Sequence, residues 1–173
     1  MKLEHKGTIT LETERLLLKE DTKEDLDILW KNLYSDKNAV ERCHWKVFET
    51  KEDFINKTRS YNLAKNVYAW TIWEKESNTP IGGISIHSQE DDKLLCKVGY
   101  SIHPNYWNKG YASEALKVVL EYMLNEIGYQ KVIAECLVDN QASKKVMEAN
   151  NMVFEKEQVI NDKPNYVFSK SRK

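Results

Sequence analysis

Ser101-Ile102-His103-Pro104-Asn105-Tyr106-Trp107-Asn108-Lys109-Gly110-Tyr111-Ala112-Ser113-Glu114-Ala115 is the stretch in which the chain changes its period. Leu94 to Ile102 reads as a strand, and Pro104 stops it because proline brings no donor to a ladder. From Gly110 onward, Ala112, Ala115, Leu116, Val119, Leu120 and Met123 fall on one helical stripe. Gly128 is placed to end that helix, and Lys131 to Leu137 reads as the next strand. A strand, a helix and a strand in this order predict a parallel crossover.

On the N-terminal side, Arg15 to Lys19 predicts a first strand. Thr22 with Asp25 has the spacing of a capping box, and Leu26, Leu29, Trp30 and Leu33 continue it as a helix to about Tyr34. Thr50 with Asp53 repeats that signature ahead of a second helix. Tyr68 to Trp73 and Ile81 to Ile86 predict a hairpin around the turn Ser77-Asn78-Thr79-Pro80. On the C-terminal side, Asn140 opens a short helix with Val146 and Met147 inward and a stop at Asn150-Asn151. Val153 to Ile160 and Asn165 to Ser169 close the chain as strands. The expected fold is α/β: a twisted mixed sheet of about seven strands with about four helices on both faces. Residues 1–173 read as a single domain, with no repeat or linker.

The 26 Lys and Arg against 27 Asp and Glu leave no basic face for nucleic acid. Cys43, Cys96 and Cys136 form no Cys-x-x-Cys pair, and the four histidines are scattered, so neither a disulfide framework nor a metal site is expected. No apolar run approaches membrane length and Met1 to Leu11 has no apolar signal core, so the expected location is cytoplasmic. The chain is expected to act as a monomer or homodimer.

The helix beginning near Gly110 offers unpaired amides and the positive end of a dipole, which together can hold a phosphate. Trp107-Asn108-Lys109-Gly110-Tyr111-Ala112 resembles the diphosphate loop of the GNAT acetyltransferases, with Trp107 where most members carry Gln or Arg. Tyr106-Trp107 before Lys109-Gly110-Tyr111-Ala112 is similar to the RimJ/RimL-like branch, the ribosomal-protein N-terminal acetyltransferases. Val138-Asp139-Asn140-Gln141-Ala142-Ser143 and Thr13-Glu14-Arg15-Leu16-Leu17-Leu18 resemble two further segments of that branch, so the resemblance runs from about Leu11 to Phe168.

The resemblance implies an acetyl-CoA-dependent N-acetyltransferase without a metal. Its acceptor would be a primary amine on a small molecule or a peptide N-terminus, and the amine would attack the thioester directly. It also implies a sheet splayed between the fourth and fifth strands, with pantetheine between them. By the same resemblance, Asn108, Lys109, Gly110, Tyr111, Ala112 and Ser113 form the diphosphate loop. The backbone near Ser101 and Ile102 pairs with pantetheine and polarises the thioester carbonyl. Asn140 bonds the cofactor arm, and Ser143 protonates the departing thiolate. Read without the family, Asn140 is a helix N-cap and Ser143 a first-turn serine.

Lys97 stands where many relatives carry a Glu base, and Met147 where others carry a Tyr. Glu135, Glu157, His87 and a water chain stay open as the proton sink. Lys97, Gly99 and Ser101 share a strand face. If that face meets the acceptor, Lys97 adds positive potential and favours a neutral or acid-bearing amine. Trp45 is a candidate for the acceptor pocket, whereas Trp70 reads as core. The competing reading is a non-catalytic acyl-CoA-binding module, which Lys97 in place of Glu favours.

Overall fold

A computed structural model describes residues 3–36, 40, 48–61 and 68–173. Its strands are β1 (Leu11–Glu12), β2 (Leu16–Glu20), β3 (Tyr68–Glu74), β4 (Thr79–Glu90), β5 (Leu95–Ile102), β6 (Lys131–Leu137), β7 (Val153–Ile160) and β8 (Lys163–Ser171). They form one sheet in the order β1-β2-β3-β4-β5-β6-β8-β7. The eighth strand, beyond the seven expected, is the two-residue β1, too short to leave a period in the sequence.

The first helix, α1 (Lys23–Leu29), begins at the expected box: Asp25 N–H donates to Thr22 Oγ1 at 3.1 Å, and Thr22 N–H donates to Asp25 Oδ2 at 3.3 Å. It runs on through a wider π-type turn, Trp30–Tyr34. The second, α2 (Lys51–Tyr61), starts where Asp53 N–H meets Thr50 Oγ1 at 3.1 Å. The crossover helix α3 (Tyr111–Glu121) continues as a π-type segment, Tyr122–Ile127. Gly128 ends it at φ 100°, a conformation that costs glycine little. The fourth helix is α4 (Gln141–Ala149).

The two sheet faces are covered by different clusters. Leu116, Val119 and Leu120 of α3 and Met123 of the π-type segment after it are buried against Cys96, Val98 and Ile102 of β5. Truncating one such leucine to alanine typically costs ~2–5 kcal/mol. On the opposite face, Leu26 and Leu29 of α1 and Leu33 of the π-type turn after it pack with Phe54 and Ile55 of α2. Trp70 is core as expected, 1 % exposed with its indole N–H donating to Ile9 C=O at 2.7 Å.

Of the ladders among the described residues, β5–β6 is parallel and the rest are antiparallel. The parallel ladder runs only from Leu95 opposite Lys131 to Val98 opposite Ala134. Beyond it, β5 keeps to β4 as far as Ile102, and β6 keeps to β8 as far as Leu137. Each strand follows a different antiparallel partner while the sheet twists, so the two part. The splay expected between the fourth and fifth predicted strands is this gap.

Candidate active site

The gap opens into a cleft of about 870 Å³ that passes from the start of α3 through the sheet to the α1/α2 face. Asn108, Gly110, Tyr111, Ala112 and Ser113 line one end. Gly110 is the N-cap of α3 at φ 81°, a left-handed conformation in which a side chain is strained. Asn108 before it is also left-handed, at φ 58°. Lys109 is outside the cleft lining, with its ammonium 5.1 Å from the Tyr106 ring centroid.

An anchor far away in sequence fixes this loop. Arg15 donates from Nη1 to Lys109 C=O at 2.9 Å and from Nε to Glu114 Oε2 at 2.7 Å, and its guanidinium lies 4.6 Å from the Tyr111 ring centroid. Glu114 also accepts from Thr13 Oγ1 at 2.5 Å and from Arg15 N–H at 3.0 Å. Burial raises the Glu114 pKa, but hydrogen bonds from Thr13 and Arg15 and the guanidinium charge outweigh it, so the net shift is downward. The Thr13-Glu14-Arg15 signature is thus a tether for the loop as well as the entry to β2. Sequence reasoning missed this role because the partner is 99 residues away.

The strand-end backbone differs from the expectation at Ser101. His103 N–H donates to Ile81 C=O at 2.7 Å, so in this antiparallel pair His103 faces β4. Alternation then turns the Ser101 amide and carbonyl to β4 as well, and those of Tyr100 and Ile102 to the gap. The Ser101 side chain is held on the α1 face, with Oγ 2.8 Å from Tyr34 Oη. Trp107 takes up the Ile102 carbonyl, its indole N–H donating at 2.6 Å. The residue that departs from the usual Gln or Arg therefore latches the end of β5.

Across the gap, Asn140 is the N-cap of α4, its Oδ1 accepting from Ser143 N–H at 3.1 Å. Ser143 Oγ lies 2.9 Å from Tyr100 Oη. Tyr100, which no motif marks, supplies a phenol beside Ser143 where Met147, fully buried, has none. Cys136 lines the cleft close by, its thiol pushed up to about 11 by burial, with Ser143 and Lys144 opposing. Ser113 is fixed by Asn150 Nδ2, which donates to Ser113 Oγ at 2.9 Å and ties α3 to α4.

At the other end, Lys97 does not stand as an uncompensated cation: its ammonium is 2.8 Å from Glu135 Oε1, which also accepts from Gln158 Nε2 at 3.3 Å. The expectation of added positive potential is corrected by this pair. Asp21 lines the cleft from the end of β2 and accepts from Thr71 Oγ1 at 2.5 Å. Burial pushes its carboxyl up to about 6; Thr71 opposes this, and Asp25 and Glu20 add to it. His87, from β4, is held below the ordinary imidazole pKa by the surrounding cleft walls; Glu135 opposes this and Lys97 reinforces it. Glu157 is exposed on β7 and outside the cleft lining. Trp45 lies outside the described residues. Among the described residues no group of three His, Cys, Asp or Glu converges on a metal position, and no helix is long and apolar enough to cross a membrane.

Comparison with known proteins agrees with this geometry. Residues 15–153 match the model of the acetyltransferase (GNAT) domain. The N-acetyltransferase YnaD of Bacillus subtilis, itself uncharacterized, is 33 % identical over 146 residues, covering 81 % of this chain and 80 % of YnaD. A GNAT-family acetyltransferase from Bacillus anthracis superposes with a TM-score of 0.83 at 27 % identity, covering 94 % of this chain and 98 % of that one. The ribosomal-protein alpha-N-acetyltransferase RimL, solved in complex with coenzyme A, shares the fold with a TM-score of 0.83 at 16 % identity, covering 95 % of this chain and 98 % of that one. A sheet parted beside a glycine-capped helix, in a chain whose residues 15–153 match the acetyltransferase (GNAT) domain, places this protein in the GNAT acetyltransferase family.

Proposed function

We propose that this acetyltransferase, with residues 1–173 acting as one domain, moves acetyl from acetyl-CoA to a primary amine by direct attack on the thioester. The observation that carries the reading is the gap past Val98 and Ala134, which opens beside the N-terminus of α3. Amides of Lys109 to Ala112, at the positive end of the helix, hold the diphosphate. Pantetheine enters the gap, where β5 turns the backbone of Tyr100 and Ile102 toward it, and Asn140 meets its arm. An amide N–H on the thioester oxygen stabilises the tetrahedral oxyanion. Ser143, with Tyr100 beside it, supplies the proton to the departing thiolate.

The amine comes from the α1/α2 face, where Tyr34, Phe48 and Phe54 form apolar and aromatic walls. Those walls suit a primary amine on a small apolar molecule or at a peptide N-terminus, presented where thiols stay reduced in the cytoplasm. Lys97, the residue that favoured mere acyl-CoA binding, is balanced by Glu135, and that leaves the transfer reading in place. The test is calorimetric binding of acetyl-CoA, followed by free-thiol release with a panel of amines and peptide N-termini. Micromolar binding with amine-dependent release is expected; binding without release from any amine would return the chain to the binding-module reading.

A further inference from the structure

We propose that His87 takes the proton of the attacking amine, and that the Lys97–Glu135 pair sets how readily it does so. This rests on the transfer reading above and adds the group it lacks.

The first support is the strand irregularity. Pairing of β4 with β5 passes from Ile86 opposite Val98 to Ser88 opposite Lys97, so His87 is the extra residue of a bulge. Bulges re-aim a side chain and are common beside active sites. The second support is the room left for the ring. A Cβ on Gly99 would lie 3.2 Å from His87 Nδ1 and 3.4 Å from Cε1. The imidazole is therefore laid directly over the Gly99 backbone, one residue before the Tyr100 backbone that faces the gap. The third support is the charge around it. Glu135 from β6 and Lys97 from β5 are the charged groups acting on the ring. Asp21 at the end of β2 and Lys145 on α4 are the other charged residues lining the cleft. From α1 and α2 the lining is apolar apart from Tyr34 and Thr58, and from β3 it carries no charge. The ring is exposed to the cleft, and partial desolvation by the cleft walls lowers its basicity, which favours the neutral form that accepts a proton. Glu135 Oε1 is already engaged by Lys97 and Gln158 and is less suited to that task.

The step balances. The amine lone pair forms the C–N bond as the carbonyl π pair moves to oxygen. The ammonium proton passes to an imidazole nitrogen. Collapse breaks the C–S bond, and the thiolate takes the Ser143 hydroxyl proton, which is restored from water. The imidazolium then releases its proton to solvent, so one acetyl-CoA and one amine give one amide and one free thiol.

The experiment measures transfer to methoxyamine, whose own ionisation lies below the working range, as a function of pH, together with His87 ring titration by NMR. His87→Gln is expected to lower kcat about a hundredfold or more, with acetyl-CoA affinity unchanged and the acid limb of the profile removed. In the full-length protein, Lys97→Met should move both the acid limb and the NMR titration to higher pH, because it removes a cation and frees Glu135. Glu135→Gln should move both to lower pH. A merely structural histidine would not give opposite shifts. Full turnover in His87→Gln, an unmoved ring titration, or no release from methoxyamine or any amine of the panel by wild type that binds acetyl-CoA would overturn the proposal. Failure of wild type to bind acetyl-CoA would instead sink the transfer reading, while the NMR shifts would still decide the electrostatic coupling.

Discussion

The two ends of the cleft treat a carboxyl group in opposite ways. At the donor end, Glu114 collects two side-chain donors and a backbone N–H, and its pKa is driven down. At the acceptor end, Asp21 has Thr71 and an apolar wall, and its pKa is driven up to about 6. The end proposed for the donor is built like a clamp, with backbone amides, a tethered loop and fixed partners suited to one invariant ligand. The end proposed for the acceptor is built from apolar and aromatic side chains with a few titratable groups of altered basicity, which suits tuning to a particular amine. One family can thus keep a common donor site while its acceptor sites diverge.

The sharpest way to break the donor half of this contrast is Gly110→Asp. The substitution strains a residue at φ 81° and sets an anion where the diphosphate is expected. Acetyl-CoA should no longer raise the melting temperature, since stabilisation follows occupancy of the native state; a thermal shift equal to wild type would remove the diphosphate assignment. Next in size is Ser143→Ala. Turnover should fall ~10²-fold or more if the hydroxyl is the acid, with acetyl-CoA affinity held within a few-fold. Unchanged turnover would pass the role to Tyr100, and Tyr100→Phe in the same background would then carry the loss.

Two smaller effects test the opposite pKa shifts directly. Glu114→Gln breaks charge-assisted bonds and should cost ~1.5–3 kcal/mol at neutral pH. Its folded pKa is depressed, so this stability is present above the ordinary Glu range and is lost as pH falls through the folded value. Denaturation midpoints of the two proteins should therefore converge in acid. Asp21 behaves the other way. Between about 3.8 and about 6 the native carboxyl holds a proton that the unfolded chain has released, so stability declines as pH rises through that window. Asp21→Asn keeps an acceptor for Thr71 and should stabilise the protein by ~3 kcal/mol above pH 7, with the difference vanishing in acid below the unfolded carboxyl's pKa. A loss of stability at pH 8 would show that Asp21 is ionised at little cost.

The helices and the main strands were legible in the sequence because their signals are local. Thr22 with Asp25, the stripe from Ala112 to Met123 and the stop at Gly128 each lie within a few turns. The cleft was legible only through family motifs. What stayed hidden depends on register or on distant partners. Alternation told which side chains share a face of β5, but not which backbone groups face the gap; that follows from the pairing of His103 with Ile81. Lys97 read as a lone cation because Glu135, 38 residues on, meets it only once β6 lies beside β5. The Arg15–Glu114 tether and the Trp107 latch on Ile102 were invisible for the same reason.

The short parallel ladder has a further, colloidal consequence. Past Val98 and Ala134 the sheet carries an edge in its middle, where strand ends meet no ladder partner across the gap. Exposed edges are templates for joining other chains, and proteins usually blunt them with charge or cover. Pantetheine lying along that edge would act as a removable blunting strip. Acetyl-CoA would then work as a solubility factor as well as a reagent, and chains starved of it would be the ones that stick to each other first.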